Sequence, residues 1–192
     1  MRSKRRNKTL RVFGPYELKV VKQNHGGGRE IDVKRSKQNL AEQTKEWAPD
    51  LKGKNKRKNG IYVYALRKQG KGAPVPFYVG ITRKRGLLDE AFYSHKKDHY
   101  NRALGKSSGT PCLYFITSPD PNKNKLGAQM LEYWEQILIY LAYSNNPKLG
   151  NKAFRPKTLR VKGLRLLHHQ DHEKGEANGK GAKHLNKMFR LD

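Results

Sequence analysis

The chain has 192 residues, a mass of 22.1 kDa and a formal net charge of +26 at pH 7, from 42 Lys and Arg against 16 Asp and Glu. That length accommodates one main domain with an appendage, and a surface this positive displaces counterions condensed on a phosphate backbone, so nucleic acid is the expected partner. No window approaches the run of about 18 apolar residues that spans a bilayer, no apolar stretch follows the basic start MRSKRRNK, and the lone Cys112 excludes an internal disulfide or a thiolate zinc site; the expectation is a cytoplasmic protein, neither secreted nor membrane-bound.

Residues 1–59 read as a basic N-terminal extension. Its stretches HGGGRE and LKGKNKRKNG are too polar to bury themselves and suit turns or linkers, which puts the boundary of the core near Asn59. The run Gly26-Gly27-Gly28 lacks the Lys-Ser/Thr ending of a phosphate loop and reads as a flexible turn. Residues 60–151 hold most of the apolar periodicity and form the expected core. There IYVYAL and FYVGIT, separated by KQGKGAPVP, predict an antiparallel hairpin.

Residues 87–104 place Leu88, Phe92, His95, His99 and Ala103 on one stripe of a predicted helix, with both histidines facing the core. GKSSG ends that helix, and CLYFIT predicts a third short strand before the polar turn SPDPNKNK. A second helix is predicted over 126–143, with Leu126, Met130, Trp134, Ile137, Leu138 and Leu141 on its apolar face. Glu132 then lies almost opposite that face and Glu135 on its flank, which makes Glu135 the better site candidate. Residues 152–192 form a basic C-terminal extension with a possible strand, TLRVKGLRLL, and a loosely helical end, KGAKHLNKMF. Between them His168, His169 and His172 include an i, i+4 pair without a third ligand, which favours a surface polar cluster over a metal site.

Gly60-Ile61-Tyr62 on the first strand and Tyr78-Val79-Gly80 on the second, followed by Ile81-Thr82, resemble the GIY-YIG nuclease family. The resemblance covers about residues 60–151, because a helix with cations, a third strand, a helix carrying Glu135 in E-x-x-L-I, and then Asn146-Pro147 and Asn151 follow in the family's order. It implies an α+β fold, with a small three-stranded antiparallel sheet flanked by helices, and phosphodiester hydrolysis with one Mg²⁺ or Mn²⁺ per active site. The expected substrate is DNA ahead of RNA, in a restriction-like, mobile-element or repair role, with a homodimer if both strands are cut. The alternative is a GIY-YIG-fold binding protein that is catalytically weak or inactive.

Phosphodiester hydrolysis needs an activated water, a stabiliser for the charged transition state and a metal for the leaving oxyanion. By the resemblance, Tyr62 is the general base, Tyr78 orients the same water or phosphate, and Glu135 is the metal ligand. As strand residues alone, both tyrosines would read as packing aromatics. The chain departs from the family in its first helix, where no arginine occupies the middle. His95, Lys96 and His99 on the helix are the candidates to replace it, with Arg83, Lys84 and Arg85 before it and Arg102 one turn after His99 as nucleic-acid contacts. Asn151 is expected to bind backbone phosphate or to hold the cleft.

Overall fold

The computed structural model describes residues 10–22, 28–43, 59–68, 73–83, 86–117, 126–151 and 180–189. Strand β1 spans Arg11–Glu17, β2 Val20–Lys22, β3 Arg29–Ile31, β4 Gly60–Arg67, β5 Val75–Thr82 and β6 Thr110–Thr117. Helix α1 spans Val33–Gln43, α2 Leu87–Ala91, α3 Ser94–Lys106, α4 Ala128–Asn145 and α5 Lys180–Phe189. The main sheet has four strands in the order β1-β6-β4-β5, with every neighbouring pair antiparallel.

The central strand β4 is buried on both faces, because successive side chains point to opposite sides of a pleated strand and each side is covered. Tyr62 and Tyr64 enter one core with Leu40 of α1, Leu87 and Leu88 of α2, and Tyr100 and Leu104 of α3. Ile61, Val63 and Ala65 enter the other with Leu131, Leu138 and Ala142 of α4 and Leu185 and Phe189 of α5. The IYVYAL, FYVGIT and CLYFIT readings thus correspond to β4, β5 and β6, and KGAKHLNKMF is α5.

The sheet is larger than the three strands expected. The fourth, β1, comes from the leading segment, where Gly14-Pro15 in mid-strand has the appearance of a turn. An edge strand tolerates this: the register shifts between Phe13 and Tyr16, and Gly14 has φ +110°, where an added Cβ would meet the Leu113 carbonyl at 2.7 Å. Phe13 and Tyr16 still reach the core. The β2-β3 hairpin is tied to α3 by Arg29, whose guanidinium donates to the carbonyls of Ser107 at 2.9 Å and Gly109 at 3.1 Å, and by the Ile31 amide, which donates to Asn101 Oδ1 at 2.9 Å.

Residues 87–104 are two helices and not one. Tyr93 is extended, with φ −64° and ψ 149°, and resets the helical phase between α2 and α3. Leu88 and Phe92 therefore do not share a stripe with the residues after Tyr93, and the buried residues of α3 are Tyr100, Ala103 and Leu104. His95, expected to face the core, is exposed, with its ring edge-on to Tyr93 at 5.2 Å.

The buried residues of α4 are Leu131, Ile137, Leu138, Ile139 and Ala142. Relative to the predicted face, this one is turned by about one residue, roughly 100°. Leu131, Glu135, Leu138 and Ala142 follow one another at i, i+4, i+7 and i+11, so Glu135 stands in line with the core stripe. Among the described residues, no helix is long and apolar enough to cross a membrane. The TLRVKGLRLL segment, His168, His169, His172, Gly26, Gly27 and the SPDPNKNK turn after Thr117 lie outside the described residues.

Candidate active site

The two tyrosine motifs meet through strand register. Tyr62 of β4 pairs with Gly80 of β5, and Tyr64 pairs with Tyr78. The phenol of Tyr62 lies across Gly80, where a Cβ would collide with Tyr62 Oη, so the glycine of Tyr78-Val79-Gly80 makes room for the tyrosine of Gly60-Ile61-Tyr62. Tyr62 is fully buried, its ring centroid is 6.1 Å from that of Tyr78, and its Oη has no hydrogen-bond partner among the described residues. Burial pushes its pKa strongly upward, reinforced by Tyr100, Tyr78, Glu90 and Glu135.

Tyr78 is held from α3. Lys96 Nζ donates to Tyr78 Oη at 2.6 Å and lies 4.9 Å from the ring centroid, while the His99 ring sits 4.8 Å away on the same tyrosine. Lys96 and His99 are three apart on the helix and share a face. Behind them Tyr64 and Tyr100 stack at 4.2 Å, and Tyr100 Oη donates to the Ala91 carbonyl at 2.7 Å, which fixes α3 to α2. The pKa of His99 is lowered, first by burial and then by Arg102, Lys96 and His95, with Asp98 opposing. Its ring is thereby biased toward the neutral form.

Glu135 belongs to the helix on the opposite face of the sheet, yet α4 packs chiefly on β5, the edge strand nearest the site. Its carboxyl is pushed upward by burial, while Lys96 and Arg83 pull it down and Glu132 adds to the rise. Glu135 in turn acts on Tyr62. Glu135 is thus felt by Tyr62 and by Lys96, while Lys96 itself bonds Tyr78. Glu132, by contrast, pairs with Arg83 at 2.5 Å on a half-exposed surface.

The segment after α4 runs along the open edge of β5. Asn151 accepts from the Val79 amide at 2.9 Å and donates to the Val79 carbonyl at 2.6 Å, the Gly150 amide donates to the Phe77 carbonyl at 2.8 Å, and Asn146 Nδ2 donates to the Pro76 carbonyl at 2.6 Å. Asn151 thus seals the edge beside Tyr78, with one donor and one acceptor of its amide engaged by Val79. Of the remaining candidates, Arg102 is exposed one turn beyond His99, and Lys84 and Arg85 lie outside the described residues. Tyr62, Tyr78, Lys96, His99, Glu135 and Asn151 are candidates from the sequence; Gly150 and the Tyr64–Tyr100 base are not, and the signal for the latter is the tyrosine two residues after Tyr62 on the same strand face.

Comparison with protein families, with curated proteins and with solved structures returned no match for this chain.

Among the described residues, no three His, Cys, Asp or Glu side chains converge on one point. A divalent ion held here would have the Glu135 carboxylate as its protein ligand and would take its other ligands from water and phosphate, a set that would suit Mg²⁺, which keeps much of its hydration. The half-buried carboxylate, without an ion pair among the described residues, would fit that use. The arrangement therefore offers one hard anionic ligand, one fixed ammonium, one phenol with an unmet hydrogen bond and one phenol already held in place.

Proposed function

We propose that the protein is a divalent-metal-dependent endonuclease of the GIY-YIG kind, hydrolysing phosphodiester bonds in DNA ahead of RNA. The observation that carries this reading is the buried, unpartnered Oη of Tyr62 beside the Lys96–Tyr78 pair and within the field of Glu135. A buried hydroxyl without a partner costs about 1–3 kcal/mol, and such costs collect where a ligand is to supply the missing bond.

In this reading Tyr62 Oη bonds the attacking water or a phosphate oxygen. Lys96 keeps Tyr78 Oη oriented and supplies a fixed positive charge for the anionic transition state, the place the family gives to an arginine. A lysine does this as a point charge, without the bidentate grip of a guanidinium. His99, biased toward neutral, packs on Tyr78 and presents a ring nitrogen that can take up a proton. A metal ion at Glu135 would supply Lewis-acid stabilisation of the leaving oxygen. Burial opposes ionisation of Tyr62, so a general-base role depends on substrate or ion changing its surroundings.

That same burial favours a second reading, a nucleic-acid-binding protein of this fold with little or no catalysis. The two are separated by incubating supercoiled plasmid with and without Mg²⁺ beside a Glu135→Ala control at equal salt. The nuclease gives metal-dependent nicking or linearisation that the control lacks. Plasmid of several sequences that is retarded but never cut overturns the nuclease in favour of the binding protein.

A further inference from the structure

A groove leaves the candidate active site between α3 and the segment that covers the edge of β5. Its first stretch has His99, Arg102 and Lys106 of α3 on one wall, Lys148 and Gly150 on the other, and Phe77 between them. A second stretch shares Phe77 and Lys148 and continues to Lys68, Ser107 and Ser108. The groove is joined to the site at two points. His99 lines it and also packs on Tyr78, and Gly150 stands so close that a Cβ there would meet His99 Nδ1 at 3.0 Å. A side chain at residue 150 would therefore crowd the passage.

The charges along it are all of one sign: no carboxylate lines either stretch. Arg102, Lys106 and Lys148 are exposed, and none of them forms an ion pair with any described residue. Other cations of this face behave differently, since Lys97 meets Glu30 at 3.4 Å and Lys37 meets Asp89 at 3.4 Å. Arg102 and Lys106 are one helical turn apart, about 6 Å along the axis, a spacing that reaches neighbouring phosphates of one strand. Three like charges held together on exposed walls repel one another, and a polyanion relieves that repulsion. Ser107 and Ser108 add hydroxyl donors at the far end, and the apolar floor at Phe77 offers no base-edge pattern to read.

We propose that this groove holds the phosphodiester backbone of the DNA strand that continues from the scissile phosphate, through Arg102, Lys106 and Lys148. The direction from the site rests on the nuclease reading above. The contacts go to phosphate, so the groove sets affinity and register and carries no sequence information. It accounts for Arg102 lying beyond His99 and away from Tyr62.

The test compares Arg102→Ala/Lys106→Ala/Lys148→Ala with a control that removes three exposed charges elsewhere, Lys22→Ala/Lys34→Ala/Lys187→Ala. Binding of the full-length chain to a fluorescent DNA duplex is followed by anisotropy in EDTA over a range of salt. Each phosphate contact contributes about 0.9 to the slope of log K against log salt. The groove variant is expected to lose about 2–3 from that slope and the control less than one contact's worth. Equal losses in the two variants overturn the proposal, because net charge alone would then explain binding. A loss seen with an RNA hairpin but not with the DNA duplex overturns the assignment to DNA. Plasmid cleavage is read in parallel. Selective slope loss in a protein that never nicks plasmid upholds the groove and defeats the nuclease reading, whereas cleavage with an undiminished slope in the groove variant defeats the groove alone.

Discussion

Replacing Tyr62 by Phe tests whether the site stores an unmet hydrogen bond. Tyr62 Oη is buried without a partner among the described residues, whereas Tyr64 Oη, two residues along the same strand face, donates to the Tyr100 carbonyl at 3.3 Å. Desolvating a hydroxyl with no partner costs about 1–3 kcal/mol, and its removal leaves a void the size of one oxygen that forfeits some dispersion contact. The expected net effect of Tyr62→Phe is a gain of about 1 kcal/mol, or about 2–4 °C in Tm for a chain of this size. Tyr64→Phe removes a made bond and should lower Tm by a similar amount. Thermal melts of the two variants in the same buffer should therefore move in opposite directions from the parent, while plasmid cleavage falls only with Tyr62→Phe beyond what stability explains. If Tyr62→Phe lowers Tm as much as Tyr64→Phe does, the phenol is bonded in solution and the argument from an orphaned hydroxyl is refuted.

Lys96→Met keeps the aliphatic stem but breaks the 2.6 Å bond to Tyr78 Oη; single-turnover cleavage should fall about 10²–10³-fold with DNA affinity little changed, and Lys96→Arg should recover part of it. Glu135 has a raised pKa in the fold, so its contribution is favourable at low pH and is lost as pH rises through the folded value. Glu135→Gln should therefore raise Tm at pH 7, the gain shrinking in acid, and should abolish any Tm increase on adding Mg²⁺; a variant still stabilised by Mg²⁺ would remove Glu135 as the ligand. His99 has a pKa held below 6.5, so the unfolded chain takes up protons first and native stability is lost as pH falls below about 6.5 toward the folded value. Because Arg102 is the largest charge acting on it, after burial, Arg102→Ala should raise the imidazole titration seen by NMR, and an unmoved titration would show that Arg102 does not act on it. Asn151→Asp leaves the Val79 carbonyl without its donor and should cost about 1–2 kcal/mol, with faster amide exchange along β5 as the local readout.

The three core strands and the last helix were legible because their signals are local. IYVYAL, FYVGIT and CLYFIT are β-branched and aromatic runs bounded by turn residues, and KGAKHLNKMF carries a loose helical pattern. The candidate residues Tyr62, Tyr78, Glu135 and Asn151 were legible from motif order. Other features were set by partners distant in the chain. Gly14-Pro15 looks like a turn until β6 is available to accept a bulged edge strand. The helix predicted over 87–104 has a continuous apolar period, but packing around Ala91 and Tyr100 is satisfied only when the chain breaks at Tyr93, and that break turns His95 outward. The face of α4 was misplaced because ILIYLAY is apolar almost all round, so periodicity alone leaves the buried side undecided.

Composition, spacing and motif order by themselves determined that this chain is strongly basic, that residues 60–151 carry its central strands, and that two tyrosines stand on paired strands; that the flanks add β1, α1 and α5 to cores on both faces of the sheet was decided by the tertiary structure. The tertiary structure alone decided which cation meets Tyr78. His95, Lys96, His99 and Arg102 are equivalent as letters in a helix, and the choice of Lys96 for Tyr78 follows from the phase of α3 after Tyr93. It likewise placed Glu135 on a helix that packs on β5 from the other face of the sheet, close enough for its charge to act on Tyr62. Propensity and pattern act over a few residues and fix elements; the field around a phenol depends on groups that only packing brings within reach.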